Sequence, residues 1–482
     1  MGAPQMANSM LADIRKIAAL AWPVLIGQLA IIAFGVIDTA MVGRYSAIDL
    51  AALGLGNSIY ISVYLGLTGV VLALQPIAGQ LFGARRYTEI GEEARQALWL
   101  AAALAIVGFV IMYFPAPLLA IAHVPPALYD RTDLYLRITA IGLPAALAFR
   151  VYSGLANGIG MPRLVMMLQV AGLAAKIALN YWFIFGGLGG LGVPALGGPG
   201  CALASTVVNF ALAVIGLVLL VRLEVFAPFG IFKQFCWPSW RRQAGLLKLG
   251  LPMGLSFLIE VSSYAFMALF IARFGTTTLA GHQITGNFGA VLYMTPMSIG
   301  VATSTLVAHA IGAHNHDEAR RLARRGIATA CTIGCCYAAI SFLLRPSIIA
   351  AYTPDAAVLA AAMPLIPIML VYHLFDTFQT VTAFVLRAYR VAVVPTIIYA
   401  IALWGVGLGG GYLIGFNVFG NVPAWLNGAR GFWAASAASL AAAGCGLFLH
   451  WRSISTRYAQ EAAVADGTGT SSAPLSSVDQ DS

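Results

Sequence analysis

Residues 22–45, WPVLIGQLAIIAFGVIDTAMVGRY, hold a single charged side chain, Asp38, before Arg44 closes the stretch. A helix of about 20 apolar residues is long enough to cross the hydrocarbon core of a bilayer, so this stretch reads as a membrane span. The same holds for residues 251–270, LPMGLSFLIEVSSYAFMALF, around Glu260, and for residues 364–386, PLIPIMLVYHLFDTFQTVTAFVL, around Asp376. A carboxylate at the centre of such a helix costs about 2.5–3.5 kcal/mol on insertion scales and is tolerated where it faces a partner or a watery cavity. Function is therefore expected at Asp38, Glu260 and Asp376.

The rest of the 482-residue chain agrees with this start. It is 60% hydrophobic and 9% charged, with a mean hydropathy of +0.85, outside the balance of soluble domains. The chain is an all-α integral membrane protein on this composition. Its net charge of +9 falls in short clusters between apolar runs, a pattern that sets topology and argues against nucleic acid as a partner. The six cysteines (Cys201, Cys236, Cys331, Cys335, Cys336 and Cys445) lie in or beside apolar segments without metal-knuckle spacing, and they read as packing thiols. No short apolar core with a small-residue cleavage site marks a removable leader, so the chain is expected to be retained whole.

Apolar segments of spanning length occur near 17–42, 51–82, 97–121, 134–158, 164–186, 200–221, 246–272, 280–312, 326–350, 358–386, 392–416 and 431–451, twelve in all. Pro23, Pro76, Pro144, Pro252, Pro296 and Pro367 interrupt several of them, as is common in transporter helices. With both termini on the inside, nineteen Lys and Arg fall inside and six (Arg44, Arg131, Arg137, Arg273, Arg345, Arg430) outside, while Lys176 and Arg150 stay at membrane depth. That asymmetry predicts cytoplasmic termini.

A gap-free repeat at an offset of 229 pairs Leu20, Pro23, Leu29, Arg44, Gly83, Ala84, Glu89 and Arg95 with Leu249, Pro252, Leu258, Arg273, Gly312, Ala313, Glu318 and Arg324. Six spans per half is an even number, so the two halves enter the membrane from the same side and the repeat is parallel. Two six-helix lobes follow, 1–222 and 246–455, facing a central cleft. Residues 223–245 form the cytoplasmic linker, whose aromatic and basic residues suit a helix on the inner leaflet. Residues 456–482 are small and polar and are expected to be disordered.

In the first lobe Asp38 lies six residues before Arg44, and Asn180 lies six before Gly186 at matching depth. Lys176 precedes Asn180 by one turn, about 6 Å away by helical rise, so an Asp38–Lys176 ion pair is within geometric reach. Either a working site or a structural neutralisation fits that pair. In the second lobe Glu260 and Asp376 lie thirteen and eleven residues before Arg273 and Arg387, both near the midplane, where two acids make a site for a cation. Tyr372, one turn before Asp376, adds a hydroxyl and a π face. A hard ion such as Na⁺ takes several oxygens at once, whereas a proton needs one carboxylate, and the cluster suits either. A hydrogen-bonded acid pair tying helices together is the structural alternative. His282, His309 and His373 lack ligand spacing, and GGLGGLGVPALGGPG at 186–200 has no Lys-Ser/Thr after it, so it is no phosphate loop but a tight external turn.

WPVLIGQL with Asp38 and MVGRY, LAGHQI at 279–284, LNYWFIFG at 179–186 and LRAYR at 386–390 together resemble multidrug and toxic compound extrusion (MATE) transporters of the NorM-like branch, from about residue 11 to 455. The resemblance implies a V-shaped pair of six-helix bundles in the bacterial inner membrane and a cation-driven antiporter, not an enzyme. It places Glu260, Asp376 and Tyr372 at the cation site, and Asp38 and Asn180 in the polar cluster of the first lobe. Family members often carry Asn where this chain has Lys176. The expected activity is export of cationic or amphiphilic organic compounds, exchanged for Na⁺ or H⁺ by alternating access of a monomer in lipid. No cofactor is expected beyond the coupling ion, and no metal beyond Na⁺ at Glu260 and Asp376. A lipid-linked oligosaccharide flippase of the same superfamily is the alternative. Such a carrier should line its cavity with several bases, and here only Lys176 and Arg150 lie deep.

Overall fold

The computed structural model of the protein describes residues 3–121, 124–186, 194–233 and 235–467. Among these residues, twelve long helices are apolar enough to cross a membrane: α1 (Ala3–Tyr45), α2 (Ala47–Gly83), α3 (Tyr87–Tyr113), α4 (Pro126–Gly158), α5 (Pro162–Phe185), α6 (Gly198–Arg222), α7 (Trp240–Ala272), α8 (Thr276–Gly312), α9 (His316–Tyr352), α10 (Leu365–Ala388), α11 (Val393–Gly415) and α12 (Ala429–Gly467). Each expected span has its helix. Several helices outrun the apolar core: α9 starts ten residues before the span expected at 326, because its polar first turns are capped. Asn315 accepts from the Glu318 backbone N–H at 3.0 Å, and its amide donates back to the Glu318 carboxylate at 3.0 Å.

Proline explains most of the irregularity. In α2, Pro76 has no N–H for the Leu72 carbonyl, which accepts from Gln75 N at 3.1 Å instead, and the helix breaks between Val71 and Leu74. Pro23, Pro144, Pro252 and Pro296 sit inside continuous helices. Pro367 differs from expectation: it lies in the first turn of α10, after a separate short helix Ala356–Ala362, where a missing N–H breaks no helical bond. Helix α11 widens into a π segment over Ala400–Gly409, which no sequence pattern announced.

The repeat is visible in the packing. Near its start α1 buries Ile17 and Ala21 against Ile299, Ala302 and Ile327 of the second lobe. Its counterpart α7 buries Leu246, Leu249 and Met253 in the core of the first. Each lobe thus holds the root of the other's first helix. At the same end Gln80 Nε2 donates to the Ala388 carbonyl at 2.7 Å, and its repeat equivalent His309 lies with Nε2 2.7 Å from the Gly158 carbonyl oxygen. Thr305 donates to the Asn157 carbonyl at 3.0 Å, and Asp13 receives Arg325 at 2.6 Å and Arg321 at 3.1 Å. All hydrogen bonds and ion pairs between the lobes among the described residues lie at this end, where the basic clusters gather. The lobes form a V joined there.

The linker differs from the surface helix expected of it. Pro228, Gly230 and Pro238 limit it to one 3-10 turn, Glu224–Phe229, and Phe226, Phe229 and Ile231 are buried in the first lobe. Arg95 donates to the Gly230 and Ile231 carbonyls at 3.0 Å each, and Gln96 donates to that of Trp237 at 3.1 Å. The strap is pinned to α3, and α7 starts at Trp240 inside the segment assigned to the linker. At the C-terminus, helix α12 continues through 456–467, into the segment expected to be disordered. Residues 468–482, and 187–193 of the glycine-rich stretch, lie outside the described residues.

Candidate functional site

Between the lobes lies a cavity of about 750 Å³, lined from both halves and including Asp38, Lys176, Arg150, Glu260, Tyr372 and Asp376. Its first-lobe wall is built where α1 packs on α5. Asp38 Oδ2 lies 2.9 Å from Lys176 Nζ, and its Oδ1 accepts from Asn180 Nδ2 at 2.7 Å. Lys176 also donates to Ser205 Oγ, and its ammonium stands 5.4 Å from the centroid of the Phe34 ring. Phe34 and Asp38 are one turn apart on α1, as Lys176 and Asn180 are on α5, so four side chains close a clasp between two helices. Lys176 is 2% exposed and Asn180 0%. Both oxygens of Asp38 are occupied, and the pair's charges cancel.

The second-lobe wall is different in kind. Helix α10 carries Asp376, whose Oδ1 accepts from Gln379 Nε2 at 2.8 Å and from Thr380 Oγ1 at 3.4 Å. Tyr399, just before the π segment of α11, fixes Gln379 by donating to its side-chain oxygen. No cation reaches Asp376, and its Oδ2 has no partner among the described residues. Glu260, on α7, makes no hydrogen bond or ion pair at all among them. Arg387, whose charge is felt at Glu260, stands over the rings of Phe257 and Phe384 at 5.1 and 4.5 Å and does not line the cavity. Tyr372 meets Trp433 edge-on, with centroids 5.4 Å apart. The cavity therefore presents two acids without an ion-pair partner among the described residues, each with an oxygen free of hydrogen bonds.

A family model described as MatE matches residues 23–182 and again 252–413, two matches that begin 229 residues apart, as the repeat does. The chain belongs to the MatE family. This MATE transporter is 36% identical over 416 residues to "Probable multidrug resistance protein NorM" of Aromatoleum aromaticum, covering 86% of this chain and 89% of that one. It is 36% identical over 423 residues to "Multidrug resistance protein PmpM" of Pseudomonas aeruginosa, with 88% and 87% covered. Among solved structures it resembles the "Outward-facing conformation of a multidrug resistance MATE family transporter of the MOP superfamily" with a TM-score of 0.83 at 18% identity, covering 92% of this chain and 96% of that one. It also resembles the "Crystal structure of eukaryotic MATE transporter AtDTX14" with a TM-score of 0.81 at 17% identity, covering 94% and 99%. The protein is a NorM-like membrane transporter, not an enzyme.

All six residues singled out in the sequence of this MATE transporter fall into two groups, Asp38–Lys176–Asn180 and Glu260–Tyr372–Asp376, one per lobe. Sequence reasoning missed Gln379 and Thr380, although both follow Asp376 at helical spacing and were open to that argument. It also missed Ser205 and Tyr399, which come from other helices and carry no rhythm that points to the site. All six cysteines are free thiols.

Proposed function

We propose that this transporter exports cationic or amphiphilic organic compounds in exchange for an inward cation, Na⁺ or H⁺, that binds at Glu260 and Asp376. The observation that carries this reading is the pair of acids without a cationic partner on one wall of a drug-sized cavity. A carboxylate held there without a counter-charge is costly in a membrane, and a transported cation relieves that cost. The coupling cation and a cationic compound then compete for the same oxygens, and exchange follows from mutual exclusion. Release of the contacts at the joined end, with closure of the other, gives alternating access by rocking of the lobes. The relatives named for multidrug resistance support the substrate class, and the nineteen-to-six split of Lys and Arg supports cytoplasmic termini in the bacterial inner membrane. The flippase alternative loses ground because Lys176 is consumed by Asp38, which leaves Arg150 alone to meet a pyrophosphate.

The test is transport of a fluorescent organic cation in proteoliposomes under a Na⁺ gradient and a pH gradient imposed separately. One gradient should drive uptake against the dye's own gradient, and Glu260→Gln and Asp376→Asn should each reduce that flux to background while the protein remains folded. Full flux in either variant at equal reconstitution would remove that acid from the coupling site.

A further inference from the structure

Among the described residues five charged side chains line the cavity: Asp38, Lys176, Arg150, Glu260 and Asp376. Asp38 and Lys176 neutralise each other at 2.9 Å, so the effective charges are the two acids of the second lobe and the one guanidinium of the first. Arg150 is oriented but not satisfied. Its Nε donates to Tyr64 Oη at 2.7 Å, and its central carbon stands 5.6 Å from the centroid of the same ring, which is stacked on Tyr60 at 5.4 Å. These contacts fix the plane of the guanidinium. Its two terminal nitrogens make no hydrogen bond to the protein, and no carboxylate comes within ion-pair reach, among the described residues. Neither nitrogen is sealed from solvent without a partner, so the fork is open toward the cavity.

The fork and Glu260 also share a depth. Gly66 of α2 packs on Leu258 of α7. Tyr64 and Glu260 each lie two residues further toward the open end of their antiparallel helices, about 3 Å by helical rise. A planar guanidinium with two free, parallel N–H groups matches a carboxylate in two-point contact. A multiply charged phosphate would call for a second permanent cation, and the only other Lys or Arg on the wall among the described residues, Lys176, is already paired.

We infer that Arg150 is the receptor for a carboxylate on the transported molecule, and that the cavity prefers zwitterionic amphiphiles, their cationic end turned to Glu260 and Asp376, over purely cationic ones. The inference deepens the efflux reading and rests on it for the word "transported". The binding preference can be measured without any transport.

The experiment compares rhodamine 110, a cationic xanthene with a free carboxylate, with rhodamine 123, its methyl ester, by fluorescence anisotropy on the purified full-length protein in detergent. The wild type should bind the free acid about tenfold more tightly than the ester, the size expected for a charge-assisted contact in a sheltered site. Arg150→Gln should bring that ratio to about one. Arg150→Lys, which keeps the charge without the fork, should give an intermediate ratio and serves if the Gln variant does not fold. Equal binding of the two dyes by the wild type, or a ratio unchanged in Arg150→Gln, overturns the inference. If wild-type proteoliposomes move neither dye under any gradient, the efflux reading falls, and the binding ratio still decides the role of Arg150.

Discussion

Lys176 does at Asp38 what a transported cation would do at Glu260 or Asp376: it supplies the positive charge, but on a tether. The first lobe is thus a closed polar clasp and the second an open one, which is why the proposed exchange is assigned to the second. Removing one partner of a buried ion pair strands the other, at about 3–5 kcal/mol, whereas removing both charges is far less costly. Lys176→Met is therefore expected to lower the unfolding temperature in detergent markedly. Adding Asp38→Asn to it should recover most of the loss, because Asn180 can still hydrogen-bond the amide. If the two substitutions add without recovery, the pair does not act as a unit. At this scale much of the site was legible. An acid in an apolar run is conspicuous because the membrane penalises it, and helical spacing then gives its neighbours, as it gave Lys176 beside Asn180 and Tyr372 beside Asp376. Ser205 and Tyr399 were not legible, since a hydroxyl costs too little in a helix to stand out and the contact is set by which helices cross. Arg150 was noticed only as deep; that it points its fork into the cavity depends on Tyr64 in another helix.

At the scale of elements, the close approach of α2 and α8 explains a repeat that the sequence only exhibited. A Cβ on Gly83 would overlap the His309 carbonyl, and one on Gly312 would overlap the Gln80 carbonyl; Gly83 with Gly312, and Gln80 with His309, are repeat equivalents. The contact is self-complementary about the axis between the lobes, as in a two-fold dimer. The turns that follow are equivalent too, with Arg85 and His314 both in the left-handed region at φ 57° and 58°. Gly83→Ala and Gly312→Ala should each push the helices apart at the joined end, because backbone cannot yield as a flexible side chain does, and overpacking of this kind costs about 1–3 kcal/mol. Spin labels at positions 85 and 314 should report longer and broader distances in both variants. Distances equal to those of the parent would mean that the lobes are not held by this contact. Helix existence was legible because twelve apolar runs leave little else to build. Helix ends were not, since polar turns capped as at Asn315 continue beyond the apolar length. The π segment of α11 was invisible because widening a helix changes no residue's polarity.

At the scale of the whole molecule, the direction of transport depends on which end of the V faces the cytoplasm. The joined end carries Asp13, Arg321 and Arg325, the Glu92–Arg242 and Glu93–Arg242 pairs, and the strap with Cys236; the other end carries the turn that leads into α6 at Gly198. Basic residues resist translocation, so their gathering at the joined end predicts that this end is inside and that the cavity is reached from outside in this conformation. On the proposed exchange, that orientation would offer Glu260 and Asp376 to a cation entering from outside. In a background without other cysteines, Cys236 should react with an impermeant maleimide only from the cytoplasmic side, and Ala195→Cys only from the periplasmic side. The two positions lie on opposite sides of α6 in the chain, separated by one span, so they cannot share a compartment if that helix crosses the membrane. Labelling of both from one side would remove α6 as a span, break the six-plus-six count, and with it the parallel repeat on which the two-lobed carrier rests. Labelling of each from the side opposite to that expected would keep the fold but turn the V over, so that the cavity of this conformation would receive its compound from the cytoplasm instead of releasing it outside.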